Sequence, residues 1–139
     1  MNKIQQVKTN SLQQAQSFKG EINLNKSLEQ IKNAYRSLMP IETGAAKLYP
    51  ENVTRILDDL SGIFKNNGED LMNLVDKNHP NTEEILYVST RFYRSQAEFG
   101  KALEASKKLA DYYKKIGDNK FSEKFNKEVK DLKSLLDSK

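Results

Sequence analysis

His79 is the single imidazole of this chain, and Asp76 stands three residues before it, a spacing that on a helix could set both beside one metal ion. Two ligands do not make a metal centre. Pro80 directly follows His79 and pushes it out of helical geometry, so His79 reads as a polar turn residue rather than a ligand, a general base or a phosphotransfer histidine. With no cysteine in 139 residues there is no thiolate zinc site, no disulfide and no thiol nucleophile. Asp58 with Asp59, and Glu69 with Asp70, are adjacent carboxylates, yet neighbours on a helix point about 100° apart and cannot share one substrate. No carboxylate falls on the apolar stripes described below, so paired acid/base work across helices has no candidate. The glycines stand singly, without a Walker or dinucleotide-binding spacing to cradle phosphate. The expectation is a chain that is not an enzyme, with no catalytic residue, no cofactor and no metal.

Binding chemistry has more support. Tyr87, Arg91, Tyr93 and Arg94 set aromatic rings and guanidinium groups close together, the residue types that dominate protein-interface hot spots. They are the candidate partner-binding residues. The competing reading is that the tyrosines flank a bundle core with their hydroxyls reaching water. Ser95, Ala97, Gly100, Ala102, Ala105 and Ser106 are small enough for another helix to pack close, from this chain or from a second copy. A nucleic-acid alternative rests on charge: residues 1–40 carry six basic and two acidic side chains, whereas 41–80 carry four and seven. Its candidates are Lys19, Lys26, Lys32 and Arg36, with Lys3 and Lys8 on the same segment. Across the chain, 23 basic and 19 acidic groups are interspersed, so the net charge of +4 does not demand a polyanion.

These groups must be positioned by helices. Leu24, Leu28, Ile31, Tyr35 and Leu38 follow the 4,3,4,3 spacing of one helical stripe, with Asn23 as a cap and Pro40 as the stop. Before it, Ile4, Val7, Leu12, Ala15 and Phe18 are loosely spaced and read as a weak first helix that Gly20 would close, with a flexible leader over residues 1–20 as the alternative. Residues 41–49 read as a turn. Pro50 suits a first helical position, and Val53, Ile56, Leu57, Leu60, Ile63 and Phe64 continue one face until Asn66, Asn67 and Gly68 end it. Leu71, Leu74 and Val75 then support a short helix. Asn81 with Glu84 has the form of a capping box opening a long helix. In sevens, Ile85, Phe92, Phe99, Ser106 and Tyr113 make one row, and Val88, Ser95, Ala102, Leu109 and Ile116 the next. That register would give about 50 Å of helix at 1.5 Å per residue, so residues 85–116 are one bent helix or two, with Gly100 marking the bend. Gly117, Asp118 and Asn119 reverse the chain into a last helix with Phe121, Phe125, Val129, Leu132 and Leu136 on its apolar side.

The stretch Leu109, Ala110, Tyr113, Gly117, Ser122 and Val129 resembles the spacing of a tetratricopeptide helix pair, over about 30 of 139 residues. It departs from that family at Asn126, where a bulky residue is usual, and no second copy lies upstream. A solenoid needs stacked neighbours, so the stretch is treated as a generic antiparallel hairpin. A true member would imply a protein-binding groove rather than an enzyme.

Leu, Ile, Val and Phe make up about a quarter of the chain, enough for one core. No segment shows the alternation of a strand. The expected fold is all-α: a single domain over 1–139, built as a four- to six-helix bundle with a long, possibly bent helix and a C-terminal helical hairpin. No segment is apolar and long enough for a membrane span or a signal peptide, which points to a soluble cytoplasmic protein. The Asn- and Gln-rich start leaves export by a dedicated secretion system as the alternative. The expected function is a non-catalytic module, an adaptor, inhibitor or assembly factor, whose partner is another protein. Nucleic-acid binding, or a secreted bacterial or phage effector or immunity role, is the alternative, and homo-oligomers are possible.

Overall fold

The computed structural model describes residues 11–138, with side chains from residue 24 onward. Six helices and no strand occur among the described residues: α1 Ser11–Glu42, α2 Pro50–Asp58, α3 Ser61–Asp76, α4 Thr82–Ser95, α5 Phe99–Lys115 and α6 Asn119–Asp137. The chain is an all-α bundle with a C-terminal hairpin.

α4 is the central helix. Every residue from Ile85 to Thr90 is buried, and α4 packs against α1, α2, α3 and α5. A helix buried all round must satisfy its own polar groups. Ser89 and Thr90 do so by donating to the Ile85 and Tyr87 carbonyls, each at 2.6 Å. Around α4, Ile31, Leu71, Leu109, Phe125 and Leu132 are fully buried, so α1, α3, α5 and α6 all contribute to one apolar cluster. Phe64 stacks on Phe92 at 4.5 Å and meets Tyr93 edge-on, joining α3 to α4.

Several helix boundaries differ from the sequence expectation. Ile4 and Val7 lie outside the described residues, but the backbone of α1 runs unbroken through Gly20 and Asn23, so neither closes nor caps a helix there. Pro40 lies inside α1, which ends at Glu42 after one more half turn; proline forfeits one backbone bond, and Thr43 recovers the end by donating to the Met39 and Pro40 carbonyls. The stripe from Val53 to Phe64 is split at Asp59 and Leu60, where the Leu60 N–H bonds back three residues to Leu57. The tilt lets Leu57, Leu60, Ile63 and Phe64 all remain buried on differently directed helices. Asn66, Asn67 and Gly68 do not end α3. Asn67 instead accepts a bond from Ser27 at 3.0 Å, and a methyl on Gly68 would come within 3.2 Å of the Tyr93 hydroxyl. Here two expected helix breakers serve helix packing.

At the start of α4 the expected capping box does not form. Asn81 makes no side-chain cap; its N–H donates to His79 Nδ1 at 2.9 Å, while the Thr82 hydroxyl donates to the His79 carbonyl at 2.6 Å. Residues 85–116 are two helices, and the break falls at residues 96–98 rather than at Gly100. Ala97 takes the left-handed conformation at φ +59°, and Gly100 sits inside the first turn of α5. The reversal leaves Ser95 and Ile116 exposed although their heptad row is otherwise buried.

The last reversal follows the sequence closely. Gly117 adopts φ +85°, and Asp118 caps α6 by accepting from the Phe121 N–H at 3.1 Å. Ser122 donates to the Ala110 carbonyl at 3.0 Å, a contact that only a small residue allows between α5 and α6. Asn126 faces water, as a lone hairpin permits, and Leu136 is partly exposed at the end of the stripe.

Candidate functional site

Arg91 is the hub of the polar groups. Its guanidinium carbon lies over the Tyr87 and Phe125 rings, 5.3 and 5.4 Å from their centroids. Nη1 and Nη2 reach the two Glu128 oxygens at 2.7 and 3.1 Å, and Nη2 lies 3.3 Å from Glu42. Arg94 adds a contact to Glu128 at 3.1 Å and Lys124 one to Glu42 at 2.8 Å, while the Tyr87 hydroxyl donates to Glu42 at 2.8 Å. Among the described residues, Arg91 Nε and Ser106 Oγ are buried without a hydrogen-bond partner. Burial disfavours the Arg91 charge, yet Glu128 and Glu42 outweigh it, and the guanidinium is held protonated even more firmly than usual. The network joins the end of α1 to α4 and α6.

A second cluster holds the other side of α4. One oxygen of Glu83 accepts from Tyr35 at 2.9 Å and from Tyr113 at 2.6 Å, tying α1 and α5 to the first turn of α4. Burial, followed by the Glu83 bond, pushes both tyrosines well above the ordinary phenol range. A carboxylate that already accepts two hydroxyls, and another that is shared by Arg91, Lys124 and Tyr87, are committed to structure.

The sequence-predicted partner residues come together, but not as a surface. Tyr87 is 1% and Tyr93 8% exposed, both in the core, and Arg91 is consumed by its carboxylates. Only Arg94 is substantially exposed, and it is paired to Glu128. The reason is the position of α4: packed against four other helices, it turns Tyr87 and Tyr93 into the core. Among the small residues, Ala102, Ala105 and Ser106 are buried against this chain's own helices, whereas Ser95, Ala97 and Gly100 face outward. Of the nucleic-acid candidates, Lys26 and Arg36 are exposed, Lys32 pairs with Glu29 at 3.5 Å, and the Lys19 side chain lies outside the described residues. His79 sits in its turn, Asp76 pairs with Lys108 at 2.9 Å, and no group of three metal-ligating side chains occurs among the described residues.

Sequence reasoning missed Glu42, Glu83 and Glu128. Glu128 lies three residues after Phe125 and four before Leu132, directly on the α6 stripe, and Glu42 lies four after Leu38 on the α1 stripe. A charge on an apolar stripe was the available signal.

A groove of about 800 Å³ lies between α3 and α5. Phe64, Met72 and Tyr93 form its floor. Lys65 and Glu69 stand on the α3 side, and Lys101, Glu104 and Lys108 on the α5 side. Gly100 opens the α5 wall, and a methyl added there would meet nothing within 4 Å. Lys101 also lies over the Tyr93 ring at 5.4 Å from its centroid. No helix among the described residues is long and apolar enough to cross a membrane. The chain matches no protein-family model, no curated protein and no solved structure.

Proposed function

We propose that this chain is a non-catalytic module that binds another protein by receiving an amphipathic helix of that partner in the groove between α3 and α5. The groove itself carries the reading: an apolar floor of Phe64, Met72 and Tyr93 bordered on both sides by charge. Its α3 side covers residues 64–73, roughly 14 Å at 1.5 Å per residue, which suits two to three turns of a docked helix. The border asks for a partner with carboxylates facing Lys65 and Lys101 and with cations facing Glu69 and Glu104. The buried polar clusters supply a rigid frame for such a groove, since the carboxylates that could have worked as acid or base are bound to arginine, lysine or tyrosine.

Affinity capture from native cell extract tests the proposal when wild type is compared with Gly100→Leu. A Cβ at this position meets nothing within 4 Å and the substitution improves helix propensity, so the fold should be retained or stabilised by roughly 1 kcal/mol. Its side chain would occupy the groove. A protein captured by wild type and lost with Gly100→Leu supports the reading, and an identical captured set for both rejects it.

A further inference from the structure

Each wall of the groove between α3 and α5 presents its charges in a fixed order. On α3, Lys65 is followed by Glu69, about 6 Å along the axis at 1.5 Å per residue; on α5, Lys101 is followed by Glu104, about 4.5 Å along. The two helices run the same way. A Cβ on Gly68 would stand 3.2 Å from the Tyr93 hydroxyl, and Lys101 Nζ lies 5.4 Å from the centroid of that same ring. Further along both helices, Lys108 donates to Asp76 at 2.9 Å. Residues 68 and 101 thus share one level and 76 and 108 a later one, so the order of charge is the same on both walls. Two lysines line one end of the groove, and two glutamates line the next turn. All four residues are exposed. Of the four, only Lys101 has an ion-pair partner among the described residues, Glu98 at 3.5 Å; with side-chain exposures of 64% and 46%, that contact is screened by water and yields readily.

We propose, resting on the reading of this groove as a receptor for a helix, that its occupant is an amphipathic helix whose charges are segregated along its axis. Cations flank its apolar stripe in one turn, level with Glu69 and Glu104, and carboxylates flank it in the adjacent turn, level with Lys65 and Lys101. The stripe itself covers Phe64, Met72 and Tyr93. The order of charge then sets the direction of docking. A helix with its carboxylates first lies parallel to α3 and α5, and one with its cations first lies antiparallel. A uniformly basic helix would bring charge against Lys65 and Lys101, and a uniformly acidic one against Glu69 and Glu104. Such like-charge contacts are a common means of rejecting wrong partners.

Fluorescence anisotropy of the full chain with three labelled peptides of about 18 residues tests it, a length at which an isolated helix begins to hold. The peptides share one leucine stripe. Its flanks carry lysine in one turn and glutamate in the next in the first peptide, lysine throughout in the second and glutamate throughout in the third. The segregated peptide should bind roughly tenfold tighter than either of the others at low salt, and the advantage should shrink as salt rises. Lys65→Glu combined with Glu69→Lys keeps the net charge but reverses one wall; it should weaken the segregated peptide roughly tenfold and leave the circular dichroism spectrum unchanged, because both residues are exposed. Lys101→Glu combined with Glu104→Lys should do the same. Equal binding of a uniformly charged peptide, or segregated binding that ignores both reversals, would overturn the charge order; the groove reading survives that result if Gly100→Leu still abolishes binding. Absence of binding by all three peptides, or binding untouched by Gly100→Leu, would remove the groove reading and this inference with it.

Discussion

Arg91 on α4 and Glu128 on α6 form a two-point ion pair, at 2.7 and 3.1 Å, although the two helices are not consecutive in the chain. The pair is shielded from water, with side-chain exposures of 19% and 10%. Paired guanidinium and carboxylate in this geometry specify how α6 lies against the bundle, because a slide of one helical turn would strand both charges.

Removing one partner should therefore cost more than removing both. Glu128→Ala is expected to destabilise by about 3 kcal/mol, since Glu42 still offsets part of the Arg91 charge. Arg91→Met combined with Glu128→Leu should recover at least half of that. Urea melts of the two single variants and the double variant give the coupling. A loss below about 0.5 kcal/mol for Glu128→Ala would show that the pair behaves as a solvent-screened surface contact.

Acid should loosen the same region. Burial alone would raise the Glu42 pKa, but Arg91, Lys124 and Tyr87 outweigh it and hold it below the ordinary 4.5. A carboxyl depressed on folding contributes stability that is complete above its unfolded value and is lost as pH falls through the folded one. Urea midpoints should fall once pH drops below about 4.5, and Glu42→Gln should flatten that fall. Parallel curves for wild type and variant would remove Glu42 as a source of acid sensitivity.

Alkali acts through tyrosine. Burial first, and then the carboxylates Glu83 and Glu42, raise Tyr35, Tyr113 and Tyr87 above the ordinary value of 10.0. Their neutral hydroxyls favour the folded state below pH 10.0, and that contribution disappears as pH rises towards the raised values. Ultraviolet titration should show fewer than six phenolates before helix content falls. Ionisation of all six near pH 10.0 with circular dichroism unchanged would contradict the hydroxyl bonds to Glu83.

Backbone strain between α4 and α5 makes a stabilising substitution available. Ala97 holds φ +59°, where a Cβ costs roughly 1–2 kcal/mol, and its side chain is exposed. Ala97→Gly should gain about 0.5–1 kcal/mol after the added freedom of the unfolded chain is counted. Gly117→Ala, at φ +85°, should lose about 1 kcal/mol. Thermal melts that shift in the reverse direction would show that these turns have another conformation.

The helices and their apolar faces were legible in one dimension because a period near 3.6 with few alternating segments leaves no other way to bury this much Leu, Ile and Phe. Gly117 and Asp118 were also legible, since a positive φ and an N-cap are local demands. Gly68, Asn67 and Pro40 were misread as stops. Each stands in a helix for its own reason: Asn67 accepts from Ser27 across helices, Gly68 leaves room for the Tyr93 hydroxyl, and Thr43 bonds close the helix end after Pro40. The burial of the candidate partner residues was not legible for a related reason. Tyr87 and Tyr93 have interface chemistry, but their burial depends on how many helices surround α4, which no local pattern records.

What the sequence determined by itself is a chain of amphipathic helices ending in a hairpin. What the tertiary structure decided is which charges became interior struts and which side chains line the groove between α3 and α5. Glu42 and Glu128 lie 86 residues apart and meet only across Arg91. The spacing of residues along a helix fixes which way a side chain points from that helix, but only the packing of one helix on another fixes what it meets.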